Sequence, residues 1–298
     1  LSDHNRGCII VTHSVLLDLN LLISAAKRQT AVQCVLNGVK IRLFVDLTVD
    51  VRFIMEKIQS LRSGLMEYKV EQWMFEQNPQ VCFGILVGRG MTNTPTEEDD
   101  SLALSGSETA LRRRLDGVSL KEHPDIQVYR DAIRQVGINP NKYMNSVEAM
   151  SKRIMKGQSL PRINALVDIC NAIGLKHVVS LGGHDLKDIQ DDLAVRRSVD
   201  GDRFLPFGAE EWELVEPGEV VFTSGNTVQT RRWLWRQSEL GKMTLETTDV
   251  FFQLVGFKGD HFSQLESAMQ ELEKTIRERF SGSVQTYLVD SRNPEITW

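Results

Sequence analysis

The 298 residues carry 35 Lys and Arg against 40 Asp and Glu, a formal charge of −5, with 41% hydrophobic and 25% charged positions. These proportions belong to a folded globular chain and exclude a disordered tail, a collagen-like repeat and a surface that binds nucleic acid by bulk charge. The length suits one large domain or two ordinary ones, each able to bury a core.

Cys8, Cys34, Cys82 and Cys170 lie far apart with no CxxC, a pattern of free thiols in a reducing compartment rather than a disulfide framework or a zinc knuckle. The longest apolar stretch, Cys8 to Ala26, is interrupted by His13, Asp18 and Asn20 and has no basic n-region. It reads as neither a membrane span nor a signal peptide, and a cytoplasmic protein is expected.

The first 65 residues carry no Pro and offer apolar clusters without clear start or stop signals. They are expected to be a poorly specified extension with the native start at Met66; the alternative is a small N-terminal subdomain. Beyond Met66 the punctuation is orderly. Val81–Val87 is a buried-strand run closed by Gly88-Arg89-Gly90, and the acidic stretch from Thr92 to Ser107 reads as a solvated loop. Ser107 is expected to cap a short helix with Leu111 and Leu115 that Gly117 stops. Pro124 opens a second helix, ended by Gly137, and Asn145 or Ser146 caps a third, ended by Gly157. Pro161 opens a fourth that runs to Gly174.

The second half turns to strands. Asp200-Gly201 signals a hairpin between Leu193–Val199 and Arg203–Phe207, and Ser224-Gly225-Asn226 joins Glu219–Thr223 to Val228–Trp235. Val250–Phe257 is a strand, followed by an amphipathic helix from Phe262 to Phe280 and a last strand, Val284–Val289. Helices in the first half, then antiparallel strands and a closing β-α-β, point to an α+β fold with a sandwich-like core.

Chemical motifs are sparse. There is no GxSxG, P-loop or strand-to-helix GxGxxG. His123-Pro124-Asp125 reads as a helix-capping turn, and Cys170, on the apolar stripe of its helix, as a buried structural thiol. His177 and His184 flank a glycine-rich turn without a third ligand, so neither metal nor cofactor is expected. Two stretches oppose the acidic average: Asn141–Arg162, net +4 with Lys142, Lys152, Arg153, Lys156 and Arg162, and Val228–Lys242, net +3. In the second, Arg231, Arg232 and Arg236 interleave with Trp233 and Trp235, the mixture that grips phosphates and stacks bases. Strand alternation would place Arg232 and Arg236 on one face and the tryptophans beneath. The same alternation also fits a strand with one buried face.

Pro161-Arg-Ile-Asn-Ala-Leu-Val-Asp-Ile-Cys-Asn171 resembles the S-I-N-x-x-V-D-x-T-N segment of the B3/B4 domain of the phenylalanyl-tRNA synthetase β subunit. Free-standing B3/B4 domain proteins are closer still, through Val87-Gly-Arg-Gly90, His123-Pro124, Gly137-Ile-Asn-Pro-Asn-Lys-Tyr143, Leu160 to Asp168, Gly182-Gly-His-Asp185, Arg232 to Arg236, and Thr244 with Thr247. The resemblance runs from about Met66 to Trp298. It implies a B3/B4-type α+β domain whose pocket, near Asn171, receives the acylated 3′ end of a tRNA; in the synthetase this pocket hydrolyses tyrosine wrongly esterified to phenylalanine tRNA.

Residue by residue, Ile163, Asn164, Val167, Asp168 and Asn171 match. The family threonine falls on Cys170, the editing histidine on Gly182 and the editing glutamate on Lys242, so the synthetase mechanism does not carry over. His184, two positions from the lost histidine, is not a simple substitute for it. The resemblance leaves Asn171, Gly182, Gly183 and Lys242 as candidate catalytic residues, through an amide, glycine-turn N–H groups and a cation that steady water and oxyanion. Arg162, Asn164, Arg232, Arg236, Lys152 and Arg153 are candidates for RNA or substrate binding. Three readings stay open: a trans-acting hydrolase of mischarged aminoacyl-tRNA, a non-catalytic module binding RNA or an amino-acid derivative, and a hydrolase of a small amino-acid conjugate. Neither DNA nor a membrane is an expected partner.

Overall fold

The computed structural model describes residues 65–298 and, ahead of them, the backbone of three short strands. The chain divides into two compact units, Leu1–Met66 with Thr297–Trp298, and Glu67–Ile296. In the first, β1 (Ile9–Val11) runs parallel to β2 (Ala31–Leu36), which pairs antiparallel with β3 (Val39–Phe44). The rest of the expectation for residues 1–65 lies outside the described residues.

The second unit is α+β and is built in layers. Its innermost sheet has four strands in the order β14-β5-β13-β6, where β5 is Val81–Arg89, β6 Ser180–Asp185, β13 Val250–Phe257 and β14 Ser283–Val289. β13 is antiparallel to β5 and β6, and β14 is antiparallel to β5. The last two long strands therefore run parallel with β5 between them, joined by the helix Phe262–Glu278 in a β-α-β unit. Every residue of β13 is buried, because both of its faces are covered. Phe252 and Leu254 pack on the helices, in one cluster with Leu166, Cys170, Leu265 and Leu272. Phe251 faces the other way, with its ring 5.3 Å from Tyr68 and 5.9 Å from Phe222. A strand covered on both sides must be apolar at successive positions, which is why its sequence is a continuous run rather than an alternation.

Tyr68 and Phe222 belong to the outer sheet of eight strands. Its order is β15-β4-β7-β10-β11-β8-β9, with β12 beside β11. β4 is Glu67–Val70, β7 Leu193–Arg197, β8 Arg203–Phe204, β9 Glu213–Leu214, β10 Val220–Ser224, β11 Thr227–Arg231, β12 Arg236–Gln237 and β15 Glu295–Thr297. Six α-helices among the described residues accompany these two sheets: α1 (Gln72–Gln77), α2 (Glu98–Arg114), α3 (Pro124–Gln135), α4 (Ser146–Met155), α5 (Ala165–His177) and α6 (Phe262–Glu278). Among the described residues no helix is long and apolar enough to cross a membrane.

Most expected elements are present, and His123 caps α3 by accepting the Asp125 N–H. Four differ. The acidic stretch is not a loop: α2 begins at Glu98, and Ser107 is buried in its middle. Glu97 and Asp100 form a reciprocal capping box, and the acids after Glu97 fill the first turn, where the helix dipole favours negative charge. Asp100, 2% exposed, also takes Nε and Nη2 of Arg279 at 3.1 and 3.0 Å. Pro161 does not open α5. Asn164 caps it by accepting the Val167 N–H at 3.1 Å, and the helix passes Gly174 to end at Val178 in the left-handed region.

The Asp200-Gly201 turn exists, yet β7 and β8 are not neighbours. β10 and β11 lie between them, and β8 joins β11 in parallel. The strand expected to reach Trp235 stops at Arg231. Arg232 and Trp233 take positive φ angles of 50° and 62° in a turn that leads to β12, so Arg231 pairs with Arg236. Alternation across Arg232–Arg236 therefore does not apply, although Trp233 is fully buried.

Asp100→Ala is expected to lower stability by about 1–3 kcal/mol, since it removes a cap and leaves Arg279 without its buried partner; urea unfolding measures it. A chain starting at Met66 is expected to unfold cooperatively at the melting temperature of the full chain. A lower or broadened transition would assign the preceding residues to the folding core.

Candidate functional site

A cavity of about 590 Å³ opens between the first half of α5, the edge strand β6 and the loop that follows β12. Helical periodicity builds one wall. Val167, Cys170 and Asn171 recur at the three- and four-residue spacing of one helix face and line the space together with the cap Asn164 and Ile163 before it. Two side chains fix that face. Asn164, 3% exposed, caps the helix through its carbonyl while its NH2 donates to Met243 O at 3.1 Å. The fully buried Asp168 accepts the Ile163 N–H at 2.9 Å and the Thr96 hydroxyl at 2.5 Å. The I-N-x-x-V-D segment is thus an anchor that holds the start of α5 against the loop and presents Asn171 two turns later. No hydrogen bond ties up the Asn171 amide among the described residues.

The second wall is β6. Gly182 and Gly183 lie within this strand rather than in a turn, paired opposite Gln253 and Phe252. Successive strand residues direct their backbone groups to opposite sides, so the two N–H groups cannot both face the cavity. Gly183 O accepts from Gln237 Nε2 at 3.1 Å and Asp185 N donates to Gly241 O at 2.8 Å, which puts the 183 and 185 backbone on the side away from β13. The Gly183 N–H therefore points outward, and that of Gly182 points into the sheet. A Cβ on Gly183 would come within 2.7 Å of Met243 Sδ and 3.2 Å of a Phe252 ring carbon. Glycine is what allows the Met243 loop to close over the strand.

That loop supplies Lys242, Met243, Thr244, Leu245 and Glu246. Lys242 pairs with Glu239 and lies 5.8 Å from the Phe207 ring centroid. Hydrogen bonding from the Thr244 hydroxyl, at 2.8 Å, holds the Glu246 carboxyl below its usual pKa. Asn171, Gly182, Gly183 and Lys242 are all brought to one cavity. Sequence reasoning missed Phe207, Gln237, Met243 and Glu246. Gln237 directly follows the Arg-Trp segment and Glu246 sits between the two spaced threonines, so adjacency to those motifs was the available signal.

The binding candidates fare differently. Asn164 is spent on the helix cap and the loop. Arg162 donates to Ser105 Oγ at 2.6 Å, Leu160 O at 2.8 Å and Glu108 Oε1 at 3.2 Å, bracing α2 against the approach to α5. Lys152 and Arg153 are exposed on α4 and do not line the cavity; Arg153 Nε donates to Ser159 O at 2.8 Å. Arg232 is paired with the buried Glu219 at 2.9 Å and sits 4.7 Å from the Tyr143 ring. Arg236 is exposed, 4.8 Å from the Trp235 ring, which meets Tyr143 edge-on at 4.9 Å. Lys142, Tyr143, Arg232, Trp235 and Arg236 thus form one aromatic and cationic surface, and Gln237 links it to the cavity.

Burial pushes the Cys170 thiol up to about 12, which leaves it an inert wall residue. His177 is bonded to Glu271 at 2.7 Å. His184 packs edge-on against Phe222 at 5.0 Å, and burial lowers its pKa from 6.5 to about 4, partly offset by the Gln229 amide. Between those values the unfolded chain binds a proton that the folded chain refuses. Stability should therefore fall as pH drops from about 6.5 towards 4, by up to about 3 kcal/mol from this residue, and be unaffected by it above that window. His184→Gln is expected to flatten the slope by that amount, measured as the difference in urea midpoints between the two proteins at each pH.

No curated protein matches the chain. Among solved structures, an N-terminal fragment of the phenylalanyl-tRNA synthetase β-subunit from Pyrococcus horikoshii superposes with a TM-score of 0.36 at 11% identity, over 74% of this chain and 53% of that one. The chain thus spans about half the length of that fragment. A family model, the B3/4 domain, matches residues 128–291, a range that takes in α5, β6, the Met243 loop and the Arg-Trp turn. That range is more than half of the chain, and it makes this protein a member of the B3/4 domain family.

Proposed function

We propose that the protein binds the 3′ end of an aminoacyl-tRNA in the cytoplasm and hydrolyses its ester in this cavity, clearing mischarged tRNA in trans. The observation that carries the reading is the meeting of an uncommitted amide, an outward N–H and a cation around one space: Asn171, Gly183 and Lys242. An aminoacyl ester is already activated, so its hydrolysis needs orientation of water and stabilisation of the oxyanion more than a strong nucleophile. Asn171 steadies the attacking water, and the Gly183 N–H and Lys242 ammonium meet the negative oxygen that develops on the carbonyl. Water adds its oxygen to the carbonyl carbon, the bond to the ribose oxygen breaks, and free amino acid and ribose hydroxyl leave. A cavity of about 590 Å³ is of the size that encloses an amino acid together with its sugar.

The RNA half of the reading is supported by the surface of Tyr143, Trp235, Lys142 and Arg236, which joins aromatic planes to positive charge beside the cavity. Rings and guanidinium planes stack bases without regard to sequence, and cations track phosphates. Arg236 is the clean probe of this surface, because Arg232 also neutralises the buried Glu219.

The test is a panel of mischarged tRNAs with wild-type protein and two variants. Asn171→Ala is expected to abolish deacylation while leaving melting and tRNA affinity intact. Arg236→Ala is expected to weaken tRNA binding and reduce its salt dependence by about one phosphate contact. Binding with no turnover on any ester would make this a binding module. Turnover of small aminoacyl conjugates with a flat salt dependence would transfer the activity to those substrates.

A further inference from the structure

Gly182 and His184 are two apart on β6 and share a strand face. A Cβ built on Gly182 would have a single neighbour within 4 Å, His184 Nε2 at 3.8 Å. The missing side chain leaves open space beside a residue that lines the cavity, and an imidazole nitrogen borders it. The rest of the ring is enclosed. Phe222 meets it edge-on, and Gly241 covers the far side so closely that a Cβ there would lie 3.4 Å from Nδ1 and 2.9 Å from Gln229 Oε1. His184 is 3% exposed and Gln229 is fully buried; His184 Nδ1 and both polar atoms of the Gln229 amide are sealed off without a hydrogen bond of good geometry.

The other described histidines are already engaged. His123 caps α3, His177 is held by Glu271, and His261 lies between Asp125 and Gln264. His184 alone among them has neither a carboxylate nor a capping role, and its buried Nδ1 has no hydrogen-bond partner, a costly arrangement to keep for packing alone.

We infer that His184 is the proton acceptor of this site, reaching the substrate through the gap that Gly182 leaves in their common strand. The inference rests on the hydrolytic reading given above. With the ring proton on the enclosed Nδ1, on the side of the Gln229 amide, Nε2 carries a lone pair facing the gap. Water in the gap gives a proton to Nε2 as its oxygen bonds to the ester carbonyl carbon. When the tetrahedral carbon collapses, the bond to the ribose oxygen breaks and that oxygen takes the proton back from Nε2. The imidazole ends neutral, with one carboxylic acid and one alcohol formed from ester and water. Burial keeps the ring unprotonated at neutral pH, so Nε2 holds its lone pair there with less basicity than a free imidazole.

Gly182→Ala makes the decisive variant, because the fold has room for the methyl group, which would stand 3.8 Å in front of His184 Nε2. The experiment measures single-turnover deacylation of mischarged tRNA by wild type, G182A and H184N, with thermal melting of each. It also records the imidazole 15N resonances of His184 while 3′-aminoacylamino-3′-deoxyadenosine, an amide that cannot be hydrolysed as the ester is, is added. The expected result is G182A melting at or above the wild-type temperature with turnover at least tenfold lower, H184N about a hundredfold lower, and a shift of the Nε2 resonance in the wild type that G182A loses. An active wild type whose G182A and H184N variants turn over equally well overturns the inference alone. A wild type inactive on every ester, with Nε2 unmoved, overturns the hydrolytic reading and the proton-transfer role with it.

Discussion

The structure depends on the two-sided burial of β13. Eight consecutive residues, Val250–Phe257, have to satisfy helices on one face and a second sheet on the other. This burial fixes β5 and β6 as the partners of β13, and it sets α5 and α6 on one side and the Tyr68–Phe222 layer on the other. It also leaves β6 as an edge whose neighbours come from loops rather than strands. The cavity occupies that edge, where the regular layering ends and small residues can face space instead of a packed surface.

What could be read from the sequence follows from how far each signal reaches along the chain. Val250–Phe257, the α3 and α4 caps and the amphipathic α6 were legible because apolar period and capping chemistry are local. The pairing of β8 with β11 was not, since the Asp200-Gly201 turn specifies a reversal but not which strand receives the returning chain. The acidic run at 97–100 was misread because charge favours both a solvated loop and a helix N-terminus, and only the distant Arg279 distinguishes them. Asn171, Gly182, Gly183 and Lys242 were found by motif, whereas Gln237 and Glu246 enter the cavity only through the tertiary path of their loop.

Charge shows the same dependence on distance. Arg130 with Glu148, Arg196 with Asp202, Arg162 with Glu108 and Arg231 with Glu219 are each an arginine bound to a buried carboxylate. Local counts of basic residues treat Arg162 and Arg231 as free. Pairing consumes both of them inside the fold, where the guanidinium satisfies an acid that would otherwise be isolated from water. The positive charge that remains outward is concentrated on fewer side chains than composition suggests, and Lys142 and Arg236 are among them.

The outward edge of β6 has one more consequence. An exposed strand edge is a template on which another chain can add a strand, and proteins manage that hazard by covering or distorting it. Here the Gln237 amide takes the Gly183 carbonyl and the Gly241 carbonyl takes the Asp185 N–H. A side chain and a loop thus occupy rungs that an incoming strand would need, and the cavity lies beside them. The edge is therefore covered at two of the backbone groups through which another strand would pair, without a further strand being added to the sheet.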